Sequence, residues 1–491
     1  MAASFSCKLD ATPIQLSRPW QHSVGSCHAP TALRADWQAQ MRQARAELGF
    51  RHVRFHGILC DDMGTLICQN GQLLYSFFNT DQIFDFLLSI GMKPLVELSF
   101  MPNTLASGGT TVFHYRANVT PPRDYREWGD LIYKLVRHWV DRYGISEVSQ
   151  WPFEVWNEPN LDAFWIAGQQ AYFTLYQTTV EAIKHVDPRL QVGGPATAQN
   201  AWIDEFLQYC DSNKLAADFI STHFYPTDAF GEIGADTMTR LEHAPKDAMR
   251  SRALQAREQA VGRPLYYTEW NITSNPRDPL RDQSFAAALA VRIAMSVDDV
   301  VDAYSFWTFS DIFEENYFPS VPFHGGFGLM NIHGIAKPIY RAFQFMLQFG
   351  DVRYPTEGNH ETVAVWVGRK IDGAHAPTNI LLINQAMPRH AINDEPIQVC
   401  LSGTDGRHSR KVLIARIDED HCNPARAWRD LGQPEYLSTA ELEKIRSASE
   451  PAPTILACSE EGGVIVIDVT LPPQSLALVS IEWEHHDPSE S

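Results

Sequence analysis

The 491-residue sequence has no Cys-x-x-Cys pair; its eight cysteines, Cys7, Cys27, Cys60, Cys68, Cys210, Cys400, Cys422 and Cys458, lie scattered along the chain. A chain of this length buries a core that needs no covalent staple, so reduced thiols in a cytosol-like compartment are expected, not a disulfide or zinc framework. No stretch approaches the roughly 20 apolar residues that cross a bilayer. The opening MAASFSCKLDATPIQL lacks the basic segment and apolar core of a secretory signal. These features predict a cytoplasmic protein without a membrane partner. Basic residues are also few: 40 Lys and Arg face 59 Asp and Glu, a net charge of −19, and no Lys/Arg run occurs. Nucleic acids and anionic membranes reward clustered positive charge, so neither is an expected partner.

Several chemical signatures are missing too. No G-x-G-x-x-G follows the first predicted strand, and neither G-x-S-x-G nor S-x-x-K occurs. Dinucleotide binding and a serine nucleophile are therefore not expected. His56, His223 and Glu269 lie on separate predicted strands without H-x-H or H-E-x-x-H spacing, so no catalytic metal and no cofactor are expected. No internal repeat or low-complexity tract interrupts the chain.

What remains is a regular alternation. Short β-branched or aromatic runs predict strands at Trp20 to Val24, His52 to His56, Lys93 to Phe100, Phe153 to Glu158, Leu190 to Gly194, Asp218 to Tyr225, Pro264 to Asn271 and Asp302 to Phe309. Helix-like segments follow each one, among them Ala32 to Leu48, Tyr125 to Tyr143 and Pro338 to Phe349. Eight such units predict an α/β fold, a closed (β/α)8 TIM barrel over residues 16–350. Beyond Gly350 the pattern changes to alternating segments split by Gly, Pro, Asn and Asp, predicting an antiparallel β-sandwich over residues 351–491. Within it, Ala425 to Ser449 reads as a helical insertion between two strands. Residues 1–15 hold a strand pattern, Phe5 to Leu9, that can join the sandwich. The short acidic tail Glu484 to Ser491 offers nothing suited to clasping another subunit, and a monomer is expected.

Barrel chemistry gathers at the C-terminal strand ends. There the fourth strand carries Trp156-Asn157-Glu158-Pro159-Asn160 and the seventh Thr268-Glu269-Trp270-Asn271, three positions apart around an eight-membered ring. A single Glu at such a place is ordinarily an ion-pair or capping group. Two facing each other are what glycosidic cleavage needs: a neutral acid for the leaving oxygen and a carboxylate for the anomeric carbon. Glu154 and Glu97 read instead as deeper, paired barrel residues. Asn157 offers an amide to a sugar hydroxyl. His223 and Tyr225, on one face of the sixth strand, can orient Glu269. Trp307 offers a flat apolar face to a sugar ring, with Glu314 or Glu315 as hydrogen-bond acceptors.

The four segments Trp156-Asn157-Glu158-Pro159-Asn160, Thr222-His223-Phe224-Tyr225, Thr268-Glu269-Trp270-Asn271 and Phe306 to Glu315, in that order, resemble glycoside hydrolase family 39. The resemblance implies a barrel with an attached β-sandwich and retaining hydrolysis, with Glu158 matching the acid/base and Glu269 the nucleophile. It implies a sugar-binding set of His56, Phe113, Asn157, His223, Tyr225, Trp307, Glu314 and Glu315. The aromatic residue that many members carry shortly after the nucleophile is replaced here by Ser274-Asn275-Pro276. Family 39 is similar to both β-xylosidases and α-L-iduronidases. A uronate would want Arg or Lys, and no basic partner can be placed near the sugar, so release of β-D-xylose from xylo-oligosaccharides or another small β-xyloside is favoured. The alternatives are α-L-iduronidase or α-L-arabinofuranosidase activity, or a catalytically silent carbohydrate-binding protein.

Overall fold

In the computed structural model, eight parallel strands close into a barrel: Ser23–His28, His52–His56, Lys93–Leu98, Pro152–Val155, Gln191–Ala198, Phe219–Phe224, Leu265–Trp270 and Ala303–Phe306. The structure describes residues 2–484 apart from 233, 316, 320, 372–375 and 405–407; the acidic tail considered above lies almost wholly outside them. Most of these strands are buried from end to end, because helices cover the outer face and side chains fill the lumen.

The helix Tyr125–Tyr143 shows why the covering layer forms. Asp124 caps it by accepting from the Arg126 amide, and Trp128, Leu131, Ile132, Leu135, Val136 and Trp139 recur at three- and four-residue spacing and are all buried. Each such burial contributes roughly 1.5 to 3 kcal/mol, so the apolar stripe, not intrinsic propensity, holds the helix on the barrel. Gly144, at φ 81°, ends it in a conformation that disfavours residues with a Cβ.

The first strand lies later than its sequence pattern suggests. Pro19–Gln21 is a 3-10 turn, started by the fixed φ of Pro19 after left-handed Arg18, and the strand begins only at Ser23. The fourth strand ends earlier than expected, at Val155, because Trp156 and Glu158 leave extended geometry with φ of 72° and 41°. The Glu158 amide then donates to Ala196 O on the fifth strand at 2.9 Å, and the Trp156 indole donates to Phe164 O at 2.9 Å. These two bonds set the position from which Glu158 enters the mouth.

Two further sheets pack together over a core of Phe5, Val365, Leu382, Ile397, Val399, Ile467 and Val479. One has five strands in the order Thr356–Glu357, Ala3–Lys8, Glu395–Ser402, Val464–Leu471, Cys458–Glu461. The other has seven, including Val363–Arg369, Thr378–Asn384, Ser409–Ile417 and Ser475–Trp483. Pairing is antiparallel except where Ala3–Lys8 runs parallel to Glu395–Ser402. Helices Pro424–Asp430 and Thr439–Ala448 lie between Ser409–Ile417 and Thr454–Ile455, the second closed by a capping box of Ser438 and Glu441. Asn379 ties this part to the barrel's last helix, Pro338–Phe349, by donating to Gln348 O and Phe349 O. No described helix is long and apolar enough to cross a membrane.

Candidate active site

Arg54 lies at the centre of the lumen, two residues before His56 on the second strand, and is completely buried. Its Nε donates to Glu154 Oε2 at 2.6 Å, Nη1 to Glu269 Oε1 at 2.7 Å and Nη2 to Asn157 Oδ1 at 3.0 Å; Nη2 also lies 2.9 Å from Glu97 Oε2. Burial opposes the guanidinium charge, but Glu154, Glu97 and Glu269 outweigh it and hold Arg54 firmly protonated. A planar fork with five donors is the side chain that can serve these partners at once.

Above this floor, Tyr225 Oη donates to Glu269 Oε2 at 2.8 Å. His223 sits between the two rim carboxylates: Nδ1 is 2.9 Å from Glu158 Oε1 and 3.7 Å from Glu269 Oε2, so it partners Glu158 in preference to Glu269. Burial lowers the His223 imidazolium to a pKa of about 4, leaving a neutral ring near pH 7. The remaining bonds decide which nitrogen carries its proton. Thr268 Oγ1 donates its only hydrogen to Glu154 Oε1 at 2.7 Å, so it must accept from His223 Nε2 at 3.0 Å. Nδ1 is then a lone pair, and only a protonated Glu158 can donate to it. Burial of Glu158 acts in the same sense, pushing its carboxyl up to about 7.

His56 hydrogen-bonds Glu97 Oε2 through Nδ1 at 2.7 Å, and its Nε2 stands 3.6 Å from both Glu269 Oε1 and Glu315 Oε1. Burial works against its charged form, but Glu97 wins and raises the imidazolium. Glu97 is correspondingly lowered: burial opposes its charge and Arg54 and His56 overcome that. Glu315 is buried with less compensation, which pushes it up to about 8.

A cavity of about 250 Å³ opens over these groups, lined by His56, Phe113, Asn157, Glu158, Tyr225, Glu269, Trp307 and Glu315, together with Leu161, Phe164, Asp228, Ser274, Pro276 and Phe327. Eight of the ten sequence candidates therefore share one wall, and His223 lies just beneath it. Phe113 arrives on the turn of a small hairpin, Thr111–Val112 with Ala117–Asn118. The Trp307 ring is 4.7 Å from that of His56, in space left open because Gly25 has no Cβ.

Glu314 is placed differently from Glu315: its carboxylate is 2.6 Å from His28 Nδ1, and it is not among the cavity-lining residues. Adjacent residues project to opposite sides here, so one carboxylate enters the cavity and the other turns behind it.

Sequence reasoning missed Arg54 as the hub. Its shared parity with His56 was the available signal. Leu161, Phe164 and Phe327 come from irregular loops whose course no local pattern announces, and Asp228 from the one-turn helix Pro226–Ala229.

Two groups of possible ligand atoms among the described residues lie mutually within 4.8 Å: Glu158, His223 and Glu269, and separately His28, Cys60 and Asp62.

The family model for glycosyl hydrolases family 39 matches residues 7–464. A β-xylosidase of Caldicellulosiruptor saccharolyticus is 45% identical over 480 residues, 95% of this chain and 96% of that protein. A β-xylosidase of Geobacillus stearothermophilus is 36% identical over 483 residues, 95% of this chain and 93% of that one. The solved structure of a family 39 β-xylosidase from Caulobacter crescentus superposes with a TM-score of 0.82 at 34% identity, covering 98% of this chain and 100% of that one.

Proposed function

The chain belongs to glycosyl hydrolase family 39, and on that premise we propose that it is a retaining, exo-acting β-xylosidase that releases D-xylose from the non-reducing end of short xylosides. Glu158 is the acid/base and Glu269 the nucleophile. The observation that carries this reading is the paired carboxylates in a small, acid-lined cavity. One oxygen of each, with a His223 nitrogen, lies within a 4.8 Å set. Nearest oxygens at most 4.8 Å apart are compatible with the carboxyl separation of about 5 to 5.5 Å that direct attack on the anomeric carbon uses, and retention is what family membership implies.

In the first step neutral Glu158 protonates the glycosidic oxygen while Glu269, aligned by Arg54 and Tyr225, attacks the anomeric carbon. The C–O bond to the leaving group breaks and a glycosyl ester forms. In the second step Glu158, now a carboxylate, takes a proton from water; that water displaces Glu269 and frees the sugar with its original configuration. Arg54 and Tyr225 keep Glu269 fixed through both displacements.

Two features support xylose over a uronic acid. The lining holds Glu158, Asp228, Glu269 and Glu315 and, among the described residues, no Lys or Arg to receive a sugar carboxylate. The cavity is also below the roughly 300 to 1,000 Å³ of sites for drug-sized ligands, in keeping with recognition of one terminal sugar.

The test is a set of initial rates on matched chromogenic β-D-xyloside, α-L-arabinofuranoside, β-D-glucoside and α-L-iduronide, with Glu158→Gln and Glu269→Ala as controls. The xyloside is expected to turn over fastest, and both substitutions to suppress it. A faster iduronide or arabinofuranoside reassigns the sugar. Silence on all four favours a binding protein.

A further inference from the structure

Behind the catalytic cavity, the ends of the first two barrel strands bring together three side chains that the reaction does not use. His28 closes the first strand and is 1% exposed; Cys60 is buried, and Asp62 has its carboxylate at the surface. The His28 Nε2 atom is buried and has no well-aligned hydrogen-bond partner; Asp62 Oδ2 stands 3.3 Å away, at ion-pair distance. Donors around a tetrahedral ion with bonds of about 2.0 to 2.3 Å stand roughly 3.3 to 3.8 Å apart. We propose that His28 Nε2, Cys60 Sγ and Asp62 Oδ2 form a structural site for a zinc-class divalent cation.

Four surrounding features fit that assignment. The other ring nitrogen, Nδ1, is 2.6 Å from Glu314 Oε1, the carboxylate–histidine arrangement that directs a lone pair on Nε2 toward a metal. The Tyr115 ring stacks on the imidazole at 3.7 Å and 7°, fixing its plane. Gly57, at φ 73°, lies so close that a Cβ there would meet Cys60 Sγ and His28 Cδ2 at 2.9 Å, so a larger residue would occupy the space between the donors. A second cavity of about 390 Å³, bordered by Cys60, Asp61, Asp62 and Tyr115, gives the ion a route in and room for water as a fourth ligand.

Without an ion His28 is an imidazolium: burial opposes its charge, but Asp62, Cys60 and Glu314 outweigh that and push it up to about 11, while burial raises the Cys60 thiol. An ion that displaces both protons would meet a borderline-soft set of thiolate, neutral imidazole and carboxylate, whose two negative charges match one divalent cation. Sequence spacing hides it, because the ligands come from the ends of two strands that are neighbours only in the closed barrel. The site also accounts for Glu314, which orients His28 where the family resemblance implied sugar contact. An ion here clamps the loops after two barrel strands to the segment that carries Glu315.

The experiment uses the full chain, stripped with chelator and titrated with cobalt and zinc. A single cobalt ion per chain should give a thiolate-to-metal charge-transfer band that Cys60→Ser abolishes. Zinc should raise the unfolding temperature, with affinity at least tenfold lower in Asp62→Asn and about 10- to 100-fold lower in Glu314→Gln. Metal-free Asp62→Asn should hydrolyse substrate like the metal-free parent, so a failure to bind metal is separable from a failure of the catalytic assignment. Absence of the thiolate band overturns the proposal. So does zinc binding that survives Cys60→Ser and Asp62→Asn but is lost in Glu158→Gln, which places the cation between the catalytic carboxylates.

Discussion

Arg54 Nη1 donates to Glu269 Oε1 at 2.7 Å while the Nε of the same guanidinium holds Glu154 Oε2 at 2.6 Å, so the proposed nucleophile and the buried floor of the barrel share one rigid anchor. The arrangement predicts that Arg54→Lys fails despite keeping the charge, since an ammonium cannot reproduce the fork. Removing one member of a buried ionic network costs about 3 to 5 kcal/mol. Urea unfolding should show a loss of about 3 kcal/mol or more, and kcat should fall about 100-fold or more. A variant with parental stability and kcat would show that the network neither supports the fold nor aligns Glu269.

The pH dependence follows from Glu158, whose burial pushes it up to about 7 from its ordinary 4.5. A general acid must hold its proton, so kcat/KM should decline as pH rises through about 7, and Glu158→Gln should lack that limb on substrates whose leaving group needs no protonation. Stability carries the same sign. The folded state binds the proton more tightly than the unfolded chain, so the contribution is complete below about 4.5 and is lost as pH rises through about 7. Glu158→Gln should therefore be more stable than the parent above pH 7, by up to about 3 kcal/mol, with little difference at pH 4. Equal unfolding temperatures at pH 8 would contradict this.

The chain Glu154, Thr268, His223, Glu158 makes a separate prediction. Thr268→Val removes the acceptor that keeps the proton on His223 Nε2. The ring is then free to place its proton on Nδ1, where it favours ionised Glu158. One hydrogen bond is worth about 0.5 to 1.5 kcal/mol, so the alkaline limb should move down by roughly 0.4 to 1 pH unit. A variant with lower kcat but an unmoved limb would show that Thr268 matters for packing alone.

Tyr225→Phe deletes one donor to Glu269 without emptying the site. Loss of a hydrogen bond to a charged group costs about 1.5 to 3 kcal/mol, so kcat should fall roughly 10- to 150-fold with KM changed far less. A rise in KM at constant kcat would assign Tyr225 to sugar binding instead.

The barrel was legible because its signals are local. Runs such as Leu265–Trp270 and stripes such as Trp128 to Trp139 announce period and burial over a few residues. Both rim carboxylates were legible for the same reason, each lying at a strand end. The electrostatic architecture was not. Arg54 takes its meaning from Glu97, Glu154 and Glu269 on three other strands, and the distinct surroundings of Glu314 and Glu315 depend on a loop that follows no repeat. Likewise Pro19, Trp156 and Glu158 end or delay strands through backbone conformations that residue type alone only weakly specifies.

The central claim is that Glu269 forms a covalent glycosyl ester. Its most direct test is incubation with an activated 2-deoxy-2-fluoro-β-D-xyloside, whose fluorine slows both steps while a good leaving group lets the ester accumulate. Mass spectrometry of the intact chain and its peptides should then find a single fluoroxylosyl adduct, on the peptide bearing Thr268-Glu269-Trp270. An adduct on another residue, or inactivation without any adduct, would contradict the account.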